Sequence, residues 1–333
     1  MKKAIFLNAA AGIVERVYAK KHLDRIARYA DLDKKIYTGA EDLSIADVKD
    51  VEYVFSTWGM PRLTEEEIRE HLPSLKAVFY AAGSVQSFAR PFLNCGVRVF
   101  SGWRGNGTAV AQFTFAQILL AAKGFLRVRQ AMDEEGRDAS RRMFSNYPGA
   151  YDIKVGLLGC GAIGGQIAEM LKMTDCEVWV FDPFLPDERA QKLGVKKTGM
   201  LDIFKNCTVI SNHLANLPTT QGIIKRECFM SMQPYSTFIN TGRGAQLNEQ
   251  DLYDALVEDK TRTALLDVMI DEQDSDDKEL AHLPNCFVTP HMSGSSGQEV
   301  QRMADRIIEA LEAVETGEAS PAEVFMKMLE TMA

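Results

Sequence analysis

The sequence predicts an α/β protein built from two doubly wound domains, and three observations carry that prediction. The chain has 333 residues, more than one ordinary domain holds. Short apolar segments of strand length alternate with helically spaced segments in two separate stretches, one before Gly107 and one after Ile153. The second stretch opens with an apolar run that leads into a glycine cluster and then a helical pattern, the order of a strand–turn–helix unit.

In the first stretch, Lys3–Leu7, Tyr53–Ser56, Ala77–Tyr80 and Val97–Phe100 read as strands. Val14–Ala30 has helical spacing, with Val14, Val17, Leu23, Ile26 and Ala30 roughly on one face. Thr64–Glu70 is a helix whose Thr64 and Glu67 form a capping-box pattern. A long, largely buried helix is expected from about Gly107 to Arg129, and the charged run Asp133–Arg142 reads as solvated. In the second stretch the strands are Val155–Leu158, Val178–Phe181, Val209–Ser211, Thr237–Asn240, Ala264–Asp267 and Phe287–Thr289. A final amphipathic helix is expected over Gly297–Thr316.

Composition narrows the function. Nearly half of the residues are hydrophobic and a quarter are charged, which suits a globular protein with a sizeable core. A formal charge of -8 argues against a nucleic-acid partner, because neutralising phosphates needs a basic surface. No apolar run approaches the ~20 residues that span a bilayer, so no membrane partner is expected. The six cysteines include no Cys-x-x-Cys pair, which predicts no metal site and a reducing, cytoplasmic setting.

The glycine cluster is Gly159-Cys160-Gly161-Ala162-Ile163-Gly164, a G-x-G-x-x-G in the strand–turn–helix setting that a dinucleotide site requires. Gly159 permits the tight turn, Gly161 lets backbone approach a pyrophosphate, and Gly164 lets helix and strand pack closely. Free N–H groups of Ala162 and Ile163 at the helix start can bind phosphate oxygens. Asp182 ends the next strand, where a carboxylate accepts hydrogen bonds from ribose hydroxyls and repels a 2′-phosphate. Pro183–Pro186 contains no cation, so NAD is expected over NADP.

Three later strands each end in a group suited to one reaction: Arg243 in Asn240-Thr241-Gly242-Arg243-Gly244, Glu272 in Asp267-Val268-Met269-Ile270-Asp271-Glu272, and His291 in Thr289-Pro290-His291. Ligands of doubly wound sheets bind beyond the strands' carboxyl ends, where these groups would share one crevice. Reducing a 2-keto acid needs a forked cation for carboxylate and carbonyl, an acid for the carbonyl oxygen and a carboxylate to orient that acid. Histidine protonates near neutral pH, and a carboxylate beside it favours the protonated ring. Asp271 is the rival to Glu272 in this acidic loop. His213 ends another strand and reads as lining the cofactor cleft. His22, His71 and His282 read as surface residues.

With these motifs in order, the chain resembles the D-isomer-specific 2-hydroxyacid dehydrogenase family along almost its whole length, most strongly over Val155–Gly294. The resemblance implies Arg243, Glu272 and His291 as the catalytic group and a small 2-keto or 2-hydroxy acid as substrate. It further implies that Asp267 meets the nicotinamide carboxamide and that Leu214, Thr241, Gly242 and the segment from His291 through Ser293 to Gly294 line the cofactor. The expected fold is then a Rossmann-type coenzyme domain, 103–297, inserted in a discontinuous, flavodoxin-like substrate domain, 1–102 and 298–333. Substrate would lie in a cleft closed by a hinge, and the chain would pair as a homodimer through the long helix. In such proteins, backbone N–H groups of a glycine turn hold the substrate carboxylate, which here points to Ala82, Gly83, Ser84 and Val85. Trp58 either walls the pocket or packs between elements.

The chain departs from the family pattern at Gln273, at Ala215 and at Gln112, where proline, proline and glutamate are usual. Two other readings stay open. A formate dehydrogenase-like enzyme would need no Glu–His pair, and a dinucleotide-sensing corepressor would keep this fold while acting through protein contacts. The identity of the keto acid is not legible in the sequence.

Overall fold

A computed structural model describes residues 1–330, with the backbone alone at residues 275–276. The last three residues of the expected 298–333 segment therefore lie outside the described residues. In chain order the strands are β1 (Lys2–Leu7), β2 (Ala30–Tyr37), β3 (Val51–Ser56), β4 (Ala77–Tyr80), β5 (Arg98–Ser101), β6 (Tyr151–Leu158), β7 (Asp175–Phe181), β8 (Lys196–Lys197), β9 (Val209–Asn212), β10 (Thr237–Asn240), β11 (Thr263–Leu266), β12 (Cys286–Val288) and β13 (Glu323–Val324). The chain divides into two compact units, Met1–Gly107 with Ser295–Ala333, and Thr108–Gly294. Each has its own sheet.

The first unit's six strands run in the order β13-β5-β4-β3-β1-β2, parallel except for β13, which pairs antiparallel with β5. The β2-β1-β3-β4-β5 order is that of flavodoxin-like sheets, with the switch point between β1 and β3. Its centre is packed with phenylalanines: Phe55, Phe79 and Phe100 stack ring on ring at 5.1 Å from strand to strand. The helix Gln301–Thr316 covers one face through Met303, Ala304, Ile307, Ile308, Ala310 and Leu311, all fully buried. Thr64 caps the helix Glu65–His71 in the expected box, accepting from Glu67 N–H at 3.2 Å while Glu67 accepts Thr64 N–H at 2.7 Å.

Two expectations for this unit fail. The segment Val14–Ala30 is not one helix but two short ones, Ile13–Val17 and Lys20–Ile26, and Ala30 already begins β2. That strand carries Asp31, Asp33, Lys34 and Lys35, which is tolerable because it is the sheet's edge and faces water. His22 is not a surface residue: its side chain is fully buried. Its Nδ1 accepts the Ala19 N–H at 2.9 Å, which leaves Nε2–H to donate to Asp305 at 3.0 Å on Gln301–Thr316.

The second unit's seven strands are all parallel in the order β12-β11-β10-β9-β6-β7-β8, a Rossmann-type sheet with its switch point between β6 and β9. One cluster around Val155, Leu157, Ile167, Val180 and Ile239 fills one face, and another around Phe204, Phe229, Phe238 and Leu252 fills the other. The long helix runs Trp103–Ala122 and ends sooner than expected. Gly124 sits at φ +61°, where a Cβ would also lie 2.2 Å from the Tyr147 ring, and the next helix, Phe125–Glu134, departs at 57°. The charged run that followed is helical too, Arg137–Phe144, and mostly exposed. Among the described residues, no single helix is long and apolar enough to cross a membrane.

Candidate active site

The site is built at the carboxyl ends of the second unit's strands. β6 delivers its apolar run into Gly159, at φ +91°, where a Cβ would fall 2.6 Å from the His213 carbonyl. At Gly164 a Cβ would lie 2.1 Å from the Gly159 carbonyl, so the helix Ala162–Leu171 can begin against the strand only with glycine there. A Cβ on Gly161 would meet nothing within 4 Å. That open ground, in front of the N–H groups of Ala162 and Ile163 and the positive end of a ten-residue helix, fits a pyrophosphate. Asp182 directly follows β7 and joins this turn: Oδ2 accepts the Cys160 N–H at 2.8 Å and Oδ1 the Phe184 N–H at 2.9 Å. The carboxylate stays half-buried, with lone pairs left for a ribose diol. Arg189, just beyond the cation-free Pro183–Pro186 segment, donates to the Gly161 carbonyl at 3.1 Å. The sequence reading missed it because helix Asp187–Leu193 folds it back on the turn.

Beyond β10, Asn240 brackets the arginine turn with both ends of its amide. Its Oδ1 accepts the Gly242 N–H at 3.1 Å, and its Nδ2 donates to the Arg243 carbonyl at 3.3 Å. Arg243 is half-buried and donates one Nη1 hydrogen to the Gly242 carbonyl at 2.7 Å, and among the described residues the rest of its fork is left for an anion. Thr241, beside it, is buried against the Thr114 hydroxyl at 3.0 Å.

Beyond β11 and β12, the structure pairs Glu272 Oε2 with His291 Nδ1 at 2.9 Å. A carboxylate only accepts, so Nδ1 carries hydrogen and Nε2 is left to exchange a proton. Both side chains are nearly half exposed, at 44% and 48%, so a substrate can reach them. His291 and Asp271 both lie in the left-handed region, at φ +53° and +51°, conformations that cost energy outside glycine and concentrate at working sites. Asp271, the rival, is exposed, and its carbonyl accepts the Asp274 N–H at 3.0 Å. Asp267 is buried and holds the histidine loop: Oδ1 accepts Thr289 Oγ1–H at 2.6 Å and Met292 N–H at 2.8 Å, and Oδ2 accepts Ser293 N–H at 2.9 Å. Ser293 is thereby buried, and Gly294 follows half-buried.

His213 follows β9 with Nε2 against Ser211 Oγ at 2.8 Å, while Nδ1 has no partner among the described residues. Loss of solvation pushes its pKa down to about 3, so the ring is neutral and unsuited to donate a proton at neutral pH. Leu214 next to it packs on the apolar cluster below.

Sequence reasoning missed the buried amides Asn212, Asn240 and Gln246. Asn212 Nδ2 donates to Asn240 Oδ1 at 2.9 Å and to Gln246 Oε1 at 2.6 Å. Three amides within one strand-end region, at positions where apolar residues would fill a core, were the available signal.

In the first unit, Ser101 Oγ donates to the carbonyls of Ala82 and Gly83, at 3.0 and 2.7 Å. The N–H groups of Ala82, Gly83, Ser84 and Val85 make no hydrogen bond among the described residues, although Ala82 and Val85 are buried. Such N–H groups are rarely left without an acceptor. Asn8, also unforeseen, ties the loop after β3 to the end of β1, donating to Thr57 O at 3.1 Å and Trp58 O at 2.9 Å. Trp58 is half-buried against this unit's own core.

Comparison with known proteins identifies the family and the fold. Residues 115–293 match the profile of the D-isomer specific 2-hydroxyacid dehydrogenase NAD binding domain. The chain is 31% identical over 225 residues to the D-3-phosphoglycerate dehydrogenase of Methanocaldococcus jannaschii, covering 67% of this chain and 42% of that protein. It is 28% identical over 272 residues to the D-3-phosphoglycerate dehydrogenase of Bacillus subtilis, covering 80% of this chain and 50% of that one. It thus spans about half the length of these curated relatives. The fold matches the NAD-complexed D-isomer specific 2-hydroxyacid dehydrogenase of Lactobacillus delbrueckii ssp. bulgaricus with a TM-score of 0.79, at 19% identity over 97% of this chain and 100% of that one.

Proposed function

Because the chain belongs to the D-isomer specific 2-hydroxyacid dehydrogenase family and carries its NAD-binding domain, we propose that it interconverts a small 2-keto acid and the D-2-hydroxy acid. The observation that carries this reading is the 2.9 Å contact between His291 Nδ1 and Glu272 at the mouth of a dinucleotide-binding sheet. Bound NADH, held by the Gly159–Gly164 turn and Asp182, supplies the hydride. Arg243 holds the substrate carboxylate and polarises the carbonyl, placing C2 to receive the hydride. His291 gives its Nε2 proton to the carbonyl oxygen as C2 is reduced, and Glu272 keeps the ring oriented and balances the imidazolium charge. In the first unit, the free N–H groups of Ala82–Val85 are the proposed seat for a substrate carboxylate.

Exposed apolar side chains on the helices after Trp103, among them Leu120, Phe125, Leu126 and Phe144, support a homodimer, which light scattering after gel filtration tests. The six cysteines are free thiols, which supports a cytoplasmic setting.

The function is tested by following NADH oxidation with glyoxylate, hydroxypyruvate, pyruvate, phenylpyruvate, branched-chain keto acids and phosphohydroxypyruvate. The last is included because the curated relatives are named for phosphoglycerate. At least one should turn over, with a product of D configuration by chiral chromatography. Tight NADH binding without turnover of any keto acid would favour the corepressor reading, and formate oxidation the formate dehydrogenase one.

A further inference from the structure

Gln246 is fully buried, in the short turn Gly244–Gln246 that follows Arg243. Its carboxamide is used at both ends. Oε1 accepts the Arg243 N–H at 3.3 Å and an Asn212 Nδ2 hydrogen at 2.6 Å. Nε2 donates to the carbonyls of Leu214 at 2.7 Å and Ala215 at 3.0 Å. One end therefore fixes the turn that carries Arg243, and the other fixes the loop after β9. That loop has Ala215, which imposes none of the φ restriction a proline would. Its backbone is held instead by hydrogen bonds: His213 N–H donates to the Leu158 carbonyl at 2.7 Å, Leu214 N–H to Asn212 Oδ1 at 3.3 Å and Thr220 Oγ1–H to the Ala215 carbonyl at 2.6 Å, and the two Gln246 bonds are the ones that couple it to the Arg243 turn. Asn212 closes the circuit, since it also binds Asn240, which brackets the Arg243 turn. The strands β9 and β10 lie on the side of the switch point away from Asp182 and β7, the half of such a sheet that takes the nicotinamide end of a dinucleotide.

We propose that Gln246 is a positioning residue that registers the two ligands against each other, setting through one buried carboxamide both the Arg243 turn and the His213–Ala215 loop beside the nicotinamide half of the cofactor. This rests on the functional reading above. A buried glutamine serving packing alone would need no such division of its ends. A carboxamide shared between two loops makes any shift of one a shift of the other, because each bond lost leaves a buried polar group unpaired.

Two variants test this. Gln246→Met keeps length and volume and removes every hydrogen bond. Gln246→Glu keeps the accepting end and replaces the donating end with a group that can donate only when protonated. Binding of NAD+ and of ADP, which carries only the adenosine half, is measured by calorimetry, alongside kcat/KM for the best keto acid. Gln246→Met should weaken NAD+ by about tenfold, the effect of roughly one lost charge-free hydrogen bond, with ADP unchanged within about twofold. Its kcat/KM should fall by about tenfold or more. Gln246→Glu should bind NAD+ near the wild-type level at pH 6 and progressively worse toward pH 9, relative to wild type at each pH, as the carboxylate ionises against two carbonyls. Parallel losses of NAD+ and ADP affinity, or none, would overturn the proposal and leave Gln246 a packing residue. If Gln246→Met does not fold, a pH-independent NAD+ affinity in Gln246→Glu overturns it instead. The ligand comparison needs no turnover, so it decides on Gln246 even if wild type reduces no keto acid and the functional reading fails.

Discussion

The β6–β7 end of the seven-stranded sheet and its β9–β12 end both place groups beyond strand termini, but they do so by different physics. At β6 and β7 the backbone does the placing. Gly159 and Gly164 stand where any Cβ would strike a carbonyl, and the result is a helix start facing open ground. At β9 to β12 side chains do it. Asn240 shapes the Arg243 turn, Asp267 ties down the loop that carries His291, and Gln246 and Asn212 join neighbouring strand ends. The first method gives a rigid seat for a constant ligand part. The second holds reacting groups through bonds that single substitutions can remove one at a time.

The largest break expected of this comparison is at Arg243. Arg243→Lys keeps the charge and loses the planar fork, so kcat/KM for the keto acid should fall by about a thousandfold, while NAD+ affinity stays within about threefold. Steady-state kinetics with calorimetry on a variant of native circular dichroism checks both. A near-normal kcat/KM would remove Arg243 from substrate binding. Glu272→Gln should cost less, about ten- to a hundredfold in kcat/KM, because the amide can still meet the histidine but cannot balance its charge. Should Asp271→Asn cost more than Glu272→Gln, the rival carboxylate would be the partner.

On the backbone-built side the effect is smaller and falls on cofactor choice. Wild type should prefer NAD(H) over NADP(H) by at least about tenfold through Asp182, and Asp182→Asn should narrow that ratio. Equal kcat/KM with both cofactors in wild type would show that Asp182 does not discriminate.

A control outside both regions is the His22–Asp305 pair of the first unit. Burial pushes the His22 pKa below its usual range despite Asp305, and Lys21 and His22 hold Asp305 below the usual carboxylate range. In both cases the unfolded chain binds more protons, so their stabilisation is present above the unfolded pKa and lost as pH falls. The melting temperature of wild type should therefore drop more steeply between pH 7 and pH 5 than that of His22→Gln, with kcat at pH 7 unchanged in the variant. Parallel slopes would contradict this.

The same contrast explains what was legible in the sequence. Glycine spacing and apolar runs act over a few residues, so β6, the turn after it and Asp182 could be read directly. Arg243 and His291 could be singled out because each closely follows a strand, and Glu272 by its spacing from Asp267. Their supports could not: Asn212 meets Gln246 across 34 positions, and Asp267 meets Met292 across 25, separations that no local pattern encodes. β2 is not legible because an edge strand can be polar on both faces, and the helix end at Gly124 depends on the Tyr147 ring, which a local pattern does not encode.

The central claim is that His291 Nε2 delivers the proton while the Gly159–Gly164 turn and Asp182 supply the main hold on the cofactor. His291→Ala separates the two in one titration and one rate. NADH affinity by fluorescence should stay within about twofold of wild type, and kcat/KM for the best keto acid should fall by at least about a thousandfold, the scale of lost general-acid catalysis. A His291→Ala protein that binds NADH and still reduces the keto acid at a near-normal rate would contradict the account.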